Sequence, residues 1–237
     1  MSDFIGLIPA RGGSKRIPRK NVRPFLGTPA IVRTIHTLVA SGVLDRVIVS
    51  TDDEEIAQLA VDAGAEVPDL RPAELADDHV STLAVVRHAV SQWMHDACST
   101  APLLVVYPTA LLLTDKLIER ASRKFIKSEA DFLIPVLRYP HPVERRLRIG
   151  DAGLLIADEP QHLSSRTQDF EPAFHDAGQF YIGRIQAWTD NRLESPLESA
   201  RALAMELPLD AAVDIDDLEH WERTERLARA VRLNSME

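Results

Sequence analysis

Residues 4–21 read FIGLIPARGGSKRIPRKN, an apolar segment followed at once by a loop rich in glycine and basic residues. No acidic residue occurs between Phe4 and Leu44, although the 237-residue chain carries a formal net charge of −9. A buried strand that feeds such a loop forms a local anion trap, because glycine lets backbone amides approach phosphate oxygens closely. The acidic bulk charge argues against a general nucleic-acid binder, so we expect a small anion, with the phosphates of a nucleotide as the first candidate.

Apolar strands and amphipathic helices alternate through the first half of the chain. Strands are predicted at residues 4–9, 46–51, 102–107 and 130–137, and helices at 29–39, 53–63, 81–94 and 114–127. This alternation favours an α/β fold of three layers, a Rossmann-like αβα architecture whose mainly parallel sheet is covered on both faces. Ligands of such sheets bind beyond the carboxyl ends of the strands, so the loops after Pro9, Thr51 and Tyr107 are expected to converge on one site.

The alternation breaks over residues 138–176, which contain prolines, clustered arginines and little periodicity. This stretch is too long for an ordinary loop in a compact domain, so it is interpreted as a protruding arm. The main domain then comprises residues 1–137 and 177–237. A strand is predicted at 177–184, and a helix is predicted at the end of the chain.

Composition and the chain start predict a cytoplasmic protein without a membrane partner. No apolar run approaches the roughly 20 residues that span a bilayer. The first residues lack a signal-peptide pattern. The single cysteine, Cys98, cannot form an internal disulfide and is compatible with a reducing compartment.

A second motif, VDIDD at residues 213–217, is acidic. If this segment ends a strand, Asp214 and Asp216 point to one face with their Cα atoms roughly 7 Å apart. Two carboxylates so placed suit Mg²⁺, which prefers oxygen ligands. The alternative is that Asp216 and Glu219 form a variant capping box for the final helix, and the spacing leaves both interpretations open.

Three shorter motifs carry less information. The STDD stretch at residues 50–53 ends a strand, where it could contact a ligand or cap the following helix. Arg71 precedes a proline and is therefore held extended. His175 and Asp176 suggest a catalytic dyad, but neighbouring residues of a strand face opposite sides, so no direct relay between them is expected.

Together these stretches resemble the acylneuraminate cytidylyltransferases, also called CMP-sialic acid synthetases. The residues that carry the resemblance, in the order typical of the family, are 8–21, 49–52, 71–72, 107–109 and 214–216. Residues 107–110 and 166–181 most resemble the pseudaminic acid branch, and sialic-acid members usually have glutamine where Tyr107 stands. One departure concerns the sugar pocket: family members often have proline at the position of Leu111.

The resemblance implies a nucleotidyltransferase reaction in which CTP and a nine-carbon 2-keto sugar acid give the CMP-sugar and pyrophosphate. The anomeric hydroxyl attacks the α-phosphate of CTP, and Mg²⁺ is the implied cofactor. The implied catalytic residues are Lys20, Arg11 and Asp216. The implied metal ligands are Asp214 and Asp216. The implied nucleotide contacts are Ala10, Arg11, Gly12, Gly13, Lys20, Asn21, Arg71 and Ser81, with Thr82 as an alternative to Ser81.

For the sugar, the resemblance implies contacts from Tyr107, Arg166, His175, Gln179 and Tyr181. It also implies a homodimer, in which the arm at residues 138–176 crosses the interface and lends Arg166 to the partner's active site. Pseudaminic acid is the expected sugar; N-acetylneuraminic, legionaminic and 3-deoxy-manno-octulosonic acids are the alternatives. A non-catalytic nucleotide-binding regulator is the alternative of a different class.

Overall fold

The computed structural model describes residues 4–77, 80–94 and 101–234, so Cys98 lies outside the described residues. The strands are β1 (Phe4–Pro9), β2 (Pro24–Phe25), β3 (Thr28–Pro29), β4 (Leu44–Ser50), β5 (Leu103–Val106), β6 (Phe132–Arg138), β7 (Leu147–Ile149), β8 (Leu155–Ala157), β9 (Phe174–Asp176), β10 (Phe180–Gly183) and β11 (Ala202–Leu207). The α-helices are α1 (Ala30–Ala40), α2 (Glu54–Asp62), α3 (Thr82–Trp93), α4 (Asp115–Ile126), α5 (Ile185–Trp188) and α6 (Leu218–Asn234).

The central sheet has the strand order β11-β6-β10-β5-β1-β4, and β9 pairs with β6 outside this path. Strand β1 is parallel to both β4 and β5, and β11 is parallel to β6. Strand β10 runs antiparallel between β5 and β6, and β9 is also antiparallel to β6. The prediction of a mainly parallel sheet is therefore confirmed, and the carboxyl ends of β1, β4 and β5 lie at one edge.

Alternate side chains of the strands pack against helices on opposite faces. Phe4 and Ile8 of β1 belong to the apolar cluster that includes α1, α2 and α4. Ile5 and Leu7 belong to the cluster formed with α3 and α5. Each such fully buried side chain contributes about 1.5–3 kcal/mol relative to exposure. This arrangement confirms the three-layer αβα architecture.

Polar side chains cap the N-termini of three helices near this edge of the sheet. Asp53, Ser81 and Thr114 accept hydrogen bonds from backbone amides in the first turns of α2, α3 and α4, at 3.0, 3.2 and 3.2 Å. Helix α1 has no such cap: Thr28, the residue with a capping side chain ahead of the predicted helix at 29–39, pairs with Phe25 of β2, and the helix starts after Pro29 without a side-chain cap. The caps fix where each helix begins relative to the loop that precedes it.

Two segments near the end of the chain differ from the predicted elements. Residues 213–215, considered above as a possible strand end, are irregular, and the strand β11 lies before them at Ala202–Leu207. Side chains satisfy the carbonyls that a sheet would otherwise pair: Gln179 donates to Val213 O at 3.1 Å and Lys20 to Ile215 O at 3.0 Å. A segment whose backbone is bonded in this way needs no neighbouring strand.

The chain between β6 and β9 contains short helical turns and the β7–β8 hairpin, which carries exposed apolar side chains. Its two ends are held together, since Arg138 pairs with Phe174 and Tyr139 N donates to Ala173 O at 2.9 Å. Strand β9 thus lies inside the stretch predicted as the arm, and the division into main domain and arm stays a prediction. Across residues 4–77, 80–94 and 101–234, no helix is both long and apolar enough to cross a membrane.

Candidate active site

A cavity of about 230 Å³ opens at the carboxyl ends of β1 and β5; we call it the edge cavity. Its lining residues are Pro9, Arg11, Lys20, Asn21, Arg71, Leu75, Asp77, Val80, Thr82, Val85, Tyr107, Pro108 and Thr109. The loops that follow Pro9 and Tyr107 therefore meet at this cavity. The loop after Thr51 lies behind it and contributes Asp52, which contacts residues of the lining.

The glycine-rich loop is fastened to the end of β4 and the start of α2. Gly12 N donates to Asp52 Oδ1 at 3.1 Å. A Cβ atom at Gly12 would lie 2.5 Å from Asp53 Oδ2 and 2.9 Å from Asp53 Cβ, so the close approach requires glycine. Arg19 forms ion pairs with Asp53, at 2.5 Å, and with Glu55. These contacts hold the basic loop in one position before any ligand binds.

Two buried side chains of the lining keep polar atoms without partners. Asn21, 6% exposed, donates from Nδ2 to Arg11 O at 2.8 Å, but its Oδ1 has no hydrogen-bond partner among the described residues. Arg71, 4% exposed, lies 3.5 Å from Asp52 Oδ1, and its Nε also has none. Burial lowers the pKa of Arg71, and the charge of Asp52 opposes this. An unpaired buried polar atom costs about 1–3 kcal/mol, so the pair favours a ligand that offers one donor and one acceptor.

Lys20 connects the edge cavity to the acidic motif. Its Nζ donates to Ile215 O at 3.0 Å, so the ammonium group lies beside the backbone between Asp214 and Asp216. Burial lowers the pKa of Lys20, while the two carboxylates act in the opposite direction. Asp216 also pairs with Arg16 of the glycine-rich loop at 2.7 Å. The basic loop and the acidic pair, which are far apart in sequence, are thus in direct contact.

Asp216 does not cap the final helix, so that interpretation is wrong. Asp217 does so instead, because His220 N donates to Asp217 Oδ1 at 2.9 Å. The pKa of Asp214 is raised by partial desolvation and by the charge of Asp216, and Lys20 opposes the rise. A divalent cation would relieve this repulsion, and carboxylate oxygens suit Mg²⁺. Among the described residues no cluster of three or more His, Cys, Asp or Glu is placed to hold a metal, so an ion here would share its ligands with water or phosphate.

An aromatic pair connects the lining of the edge cavity to β10: Tyr107 lines the cavity, and Tyr181 is buried behind it. The hydroxyl groups of Thr82 and Tyr107 are hydrogen-bonded at 3.0 Å, and the rings of Tyr107 and Tyr181 meet edge to face at 6.0 Å. Tyr181 donates its hydroxyl proton to Asp176. Burial, above all, raises the pKa of Tyr181, so this phenol remains a neutral donor. The arrangement places polar hydroxyl groups on apolar rings, a surface suited to a sugar.

The other predicted site residues lie around the edge cavity or away from it. Ala10 is buried and donates its N–H to Ser50 O at 2.9 Å, Gly13 is exposed, and the Ser81 hydroxyl caps α3. His175 is exposed and packs on Tyr139.

Arg166 and Gln179 are also set apart from the lining. The Arg166 side chain is 73% exposed, pairs with Asp169 and does not line the edge cavity. Gln179 is buried with its amide nitrogen bonded to backbone carbonyls. The assignments of both residues to the sugar stay predictions.

Three acidic residues near the site are absent from the assigned catalytic, metal, nucleotide and sugar residues. Asp52 holds both Gly12 and Arg71, and its position at the carboxyl end of β4 was the available signal. Asp77 lines the edge cavity within a segment that has no periodicity, so nothing in the sequence pointed to it. Asp176 was considered only with its neighbour His175, whereas the structure pairs it with Tyr181.

Comparisons with known proteins agree on one family. Residues 5–133 match a family model described as cytidylyltransferase. A pseudaminic acid cytidylyltransferase of Campylobacter jejuni is 36% identical over 216 residues, which cover 91% of this chain and 92% of the relative. A Helicobacter pylori protein that joins a pseudaminic acid cytidylyltransferase to a hydrolase is 30% identical over 220 residues, or 92% of this chain and 41% of that protein.

Solved structures show the same fold at much lower identity. A CMP:2-keto-3-deoxy-manno-octonic acid synthetase complexed with CTP superposes with a TM-score of 0.70 at 15% identity, covering 97% of this chain and 99% of that chain. A 4-diphosphocytidyl-2C-methyl-D-erythritol synthase of Anaerococcus prevotii gives a TM-score of 0.64 at 8% identity, covering 97% and 100%. These likenesses confirm the nucleotidyltransferase fold.

Proposed function

This chain belongs to the cytidylyltransferase family and is a nucleotidyltransferase, and we propose that it transfers CMP from CTP to pseudaminic acid with release of pyrophosphate. The observation that carries the proposal is the 36% identity to a pseudaminic acid cytidylyltransferase over 91% of this chain and 92% of that relative. The edge cavity supports it, because cations, unpaired buried polar atoms and an acidic pair lie together at the carboxyl edge of the sheet.

In this proposal the glycine-rich loop and Lys20 bind the triphosphate. Arg11 and Lys20 line the edge cavity and supply positive charge. Loop amides other than those of Ala10 and Gly12, which donate within the protein, would donate hydrogen bonds to phosphate oxygens. Asn21 Oδ1 and Arg71 Nε offer the acceptor and donor that the cytidine base or its ribose would satisfy. Because all these groups are positioned before binding, they stabilise developing charge on the phosphates without reorganisation.

The reaction is an in-line displacement at the α-phosphorus. The anomeric oxygen of the sugar acid forms a bond to phosphorus as the bond to pyrophosphate breaks. The hydroxyl proton passes to Asp216 or to water beside it. Mg²⁺ held by Asp214 and Asp216 would supply positive charge to the phosphate oxygens. Lys20, hydrogen-bonded between these aspartates, is our first choice for stabilising the transition state.

The sugar is proposed to bind on the side of Tyr107, which lines the edge cavity, and of Tyr181, whose ring packs edge to face on it. His175 and Gln179 were assigned to the same pocket by resemblance. The exposed Arg166 is proposed to reach the active site of the partner in a homodimer and to meet the sugar carboxylate there. A cytoplasmic location is part of the same proposal.

A turnover panel tests the proposal directly. Purified protein is incubated with CTP, Mg²⁺ and one of four acids: pseudaminic, N-acetylneuraminic, legionaminic or 3-deoxy-manno-octulosonic. Pyrophosphate release and the mass of the CMP-sugar are measured. Pseudaminic acid is expected to give the highest kcat/KM. Turnover of another acid with pseudaminic acid inert would reject the sugar assignment, and CTP binding without turnover of any acid would favour the nucleotide-binding regulator.

A pair of lysine variants shows whether the measured activity arises at the edge cavity. Lys20→Ala removes the ammonium group next to Ile215 and should lower turnover by at least ~100-fold. Lys127→Ala removes an exposed lysine at the end of α4 and should leave turnover unchanged. Equal activity of the two variants would place the chemistry elsewhere.

A further inference from the structure

The antiparallel strand of the central sheet is interrupted between β9 and β10. Ala177 N still donates to Pro135 O of β6 at 3.0 Å, and Tyr107 N, which follows β5, donates to Gln179 O at 3.0 Å. Between them Gly178 takes φ +61°, a left-handed conformation that favours glycine. Before the break the chain pairs with the end of β6, and after it the chain pairs with β5. Residue 179, at the break, is buried.

Gln179 is buried at this break and its amide nitrogen is fully used. Gln179 is only 2% exposed. Its Nε2 lies 3.0 Å from Ala177 O, 3.1 Å from Gly178 O and 3.1 Å from Val213 O. Two of these carbonyls belong to the break itself. The third belongs to the residue directly before Asp214, in the irregular segment that no strand supports.

Gly178 packs against the same segment, at Asp214. A Cβ atom at Gly178 would lie 3.1 Å from Asp214 Cγ, 3.3 Å from its Oδ2 and 3.4 Å from its Cβ. The carboxyl group of Asp214 therefore rests against the bare Cα of Gly178. Side-chain hydrogen bonding by Gln179 and direct packing by Gly178 together determine where this carboxylate lies.

We propose that Gln179 is a positioning residue for Asp214, acting through Val213 O, and that it does not contact the sugar. This inference rests on the proposed function, in which Asp214 is a metal ligand. The segment at residues 213–216 has no sheet partner, so the bond to Val213 O fixes the peptide that orients Asp214. Loss of this bond would loosen Asp214 and, through the neighbouring Ile215 O, the contact with Lys20.

The amide group is the feature that the position requires. Leucine has nearly the same volume but no donor, so the buried carbonyls of Ala177 and Val213 and the partly buried carbonyl of Gly178 would lose the Gln179 amide as a donor. Glutamate has the same shape, but its carboxylate would face those carbonyl oxygens and repel them. Both replacements are therefore expected to act on the metal site and not on recognition of the sugar.

The test measures metal binding without turnover. Isothermal titration of Mg²⁺ into the protein with saturating CTP, in the absence of sugar, is compared for the wild type and Gln179→Leu. A net hydrogen bond of about 0.5–1.5 kcal/mol predicts a dissociation constant for Mg²⁺ raised about 2- to 12-fold. In steady-state assays the Mg²⁺ concentration for half-maximal rate should rise equally, while KM for the sugar changes less than ~2-fold.

Two further variants keep the test informative. Gln58→Leu makes the same replacement on the exposed face of α2, where the amide donates to Asp62 at 2.8 Å, and should change neither constant. Gly178→Ala keeps the Gln179 side chain and places a methyl group against Asp214, at the added cost of backbone strain from the left-handed φ. It should weaken Mg²⁺ binding as well, and it carries the test if Gln179→Leu does not fold.

The opposite split would overturn the inference. A raised KM for the sugar with unchanged Mg²⁺ binding in Gln179→Leu would make Gln179 a sugar contact. Unchanged Mg²⁺ binding in a folded Gly178→Ala would show that the break does not position Asp214. Failure of the wild-type protein to bind Mg²⁺ with CTP would reject the proposed function itself, which separates the two claims.

Discussion

Replacement of Gly12 by alanine should disable nucleotide binding while leaving the fold intact. The new Cβ would lie 2.5 Å from Asp53 Oδ2 and 2.9 Å from Asp53 Cβ, where an ordinary contact is at least 3.4 Å. Asp53 cannot turn aside cheaply, because it caps α2 through Ile56 N at 3.0 Å and is paired with Arg19. The loop must therefore move outward, and the nearest overlap sets that movement at roughly 1 Å.

The size of the effect follows from two independent routes. A shift of about 1 Å would break the 3.1 Å bond from Gly12 N to the Asp52 carboxylate, and a hydrogen bond to a charged group contributes about 1.5–3 kcal/mol. A misplacement of about 1 Å in groups that position a substrate costs about 100-fold in rate. Both routes predict that kcat/KM for CTP falls by about 10- to 100-fold.

Gly13→Ala is the matched comparison, since a Cβ at Gly13 meets nothing within 4 Å. Both variants are assayed for pyrophosphate release over a range of CTP concentrations, with thermal unfolding to check the fold. Gly12→Ala should show the large loss while still unfolding cooperatively, with a Tm lowered by roughly 3–12 °C through the lost hydrogen bond, and Gly13→Ala a much smaller loss of activity. Equal losses in the two variants, or a wild-type kcat/KM in Gly12→Ala, would refute the steric argument.

Three further outcomes are expected. Asp216→Asn should retain most of the affinity for CTP in a binding titration while turnover falls by ~100-fold or more, and unchanged turnover would remove Asp216 from the mechanism. Arg166→Ala should raise KM for the sugar more than KM for CTP in steady-state assays. The reverse ranking would reject the proposal that Arg166 contacts the sugar in the partner's active site. The hydrogen bond from Arg19 lowers the pKa of Asp53, so the stability it adds is complete above the unfolded pKa and is lost as pH falls through the folded value. Asp53→Asn should therefore reduce the free energy of unfolding by up to ~1 kcal/mol at neutral pH, and the difference should disappear once the pH is below the lowered pKa of Asp53. A difference that persists in urea titrations where the carboxyl group is protonated would contradict the ion-pair explanation.

Local signals predicted the elements that carry strong periodicity. The apolar runs at β1, β4, β5 and β6 and the amphipathic patterns of α2, α3 and α4 were visible in the sequence, and the structure bears these elements out. Strand β11 was missed because it consists of alanine, leucine, methionine and glutamate, residues that also favour helices. Its strand character shows in the burial of Met205 and Leu207 on one face.

Strand order and long-range side-chain bonds were beyond sequence reasoning. No local pattern states that β10 enters between β5 and β6 in the opposite direction. The irregular course of residues 213–215 depends on donors from Gln179 and Lys20, which lie elsewhere in the chain. For the site, the resemblance named Gln179 as a sugar contact, whereas its burial and its three backbone partners became visible only in the structure.

The position of β10 also constrains how a ribosome-bound chain can fold. Strands β5 and β6 are both made before β10, yet they do not pair with each other and leave a gap one strand wide. The sheet therefore cannot join these two strands during translation until residues 180–183 emerge, after the whole β7–β8 segment has been synthesised. Closing so long a loop carries an entropic cost, so the nascent protein should acquire its cooperative structure late.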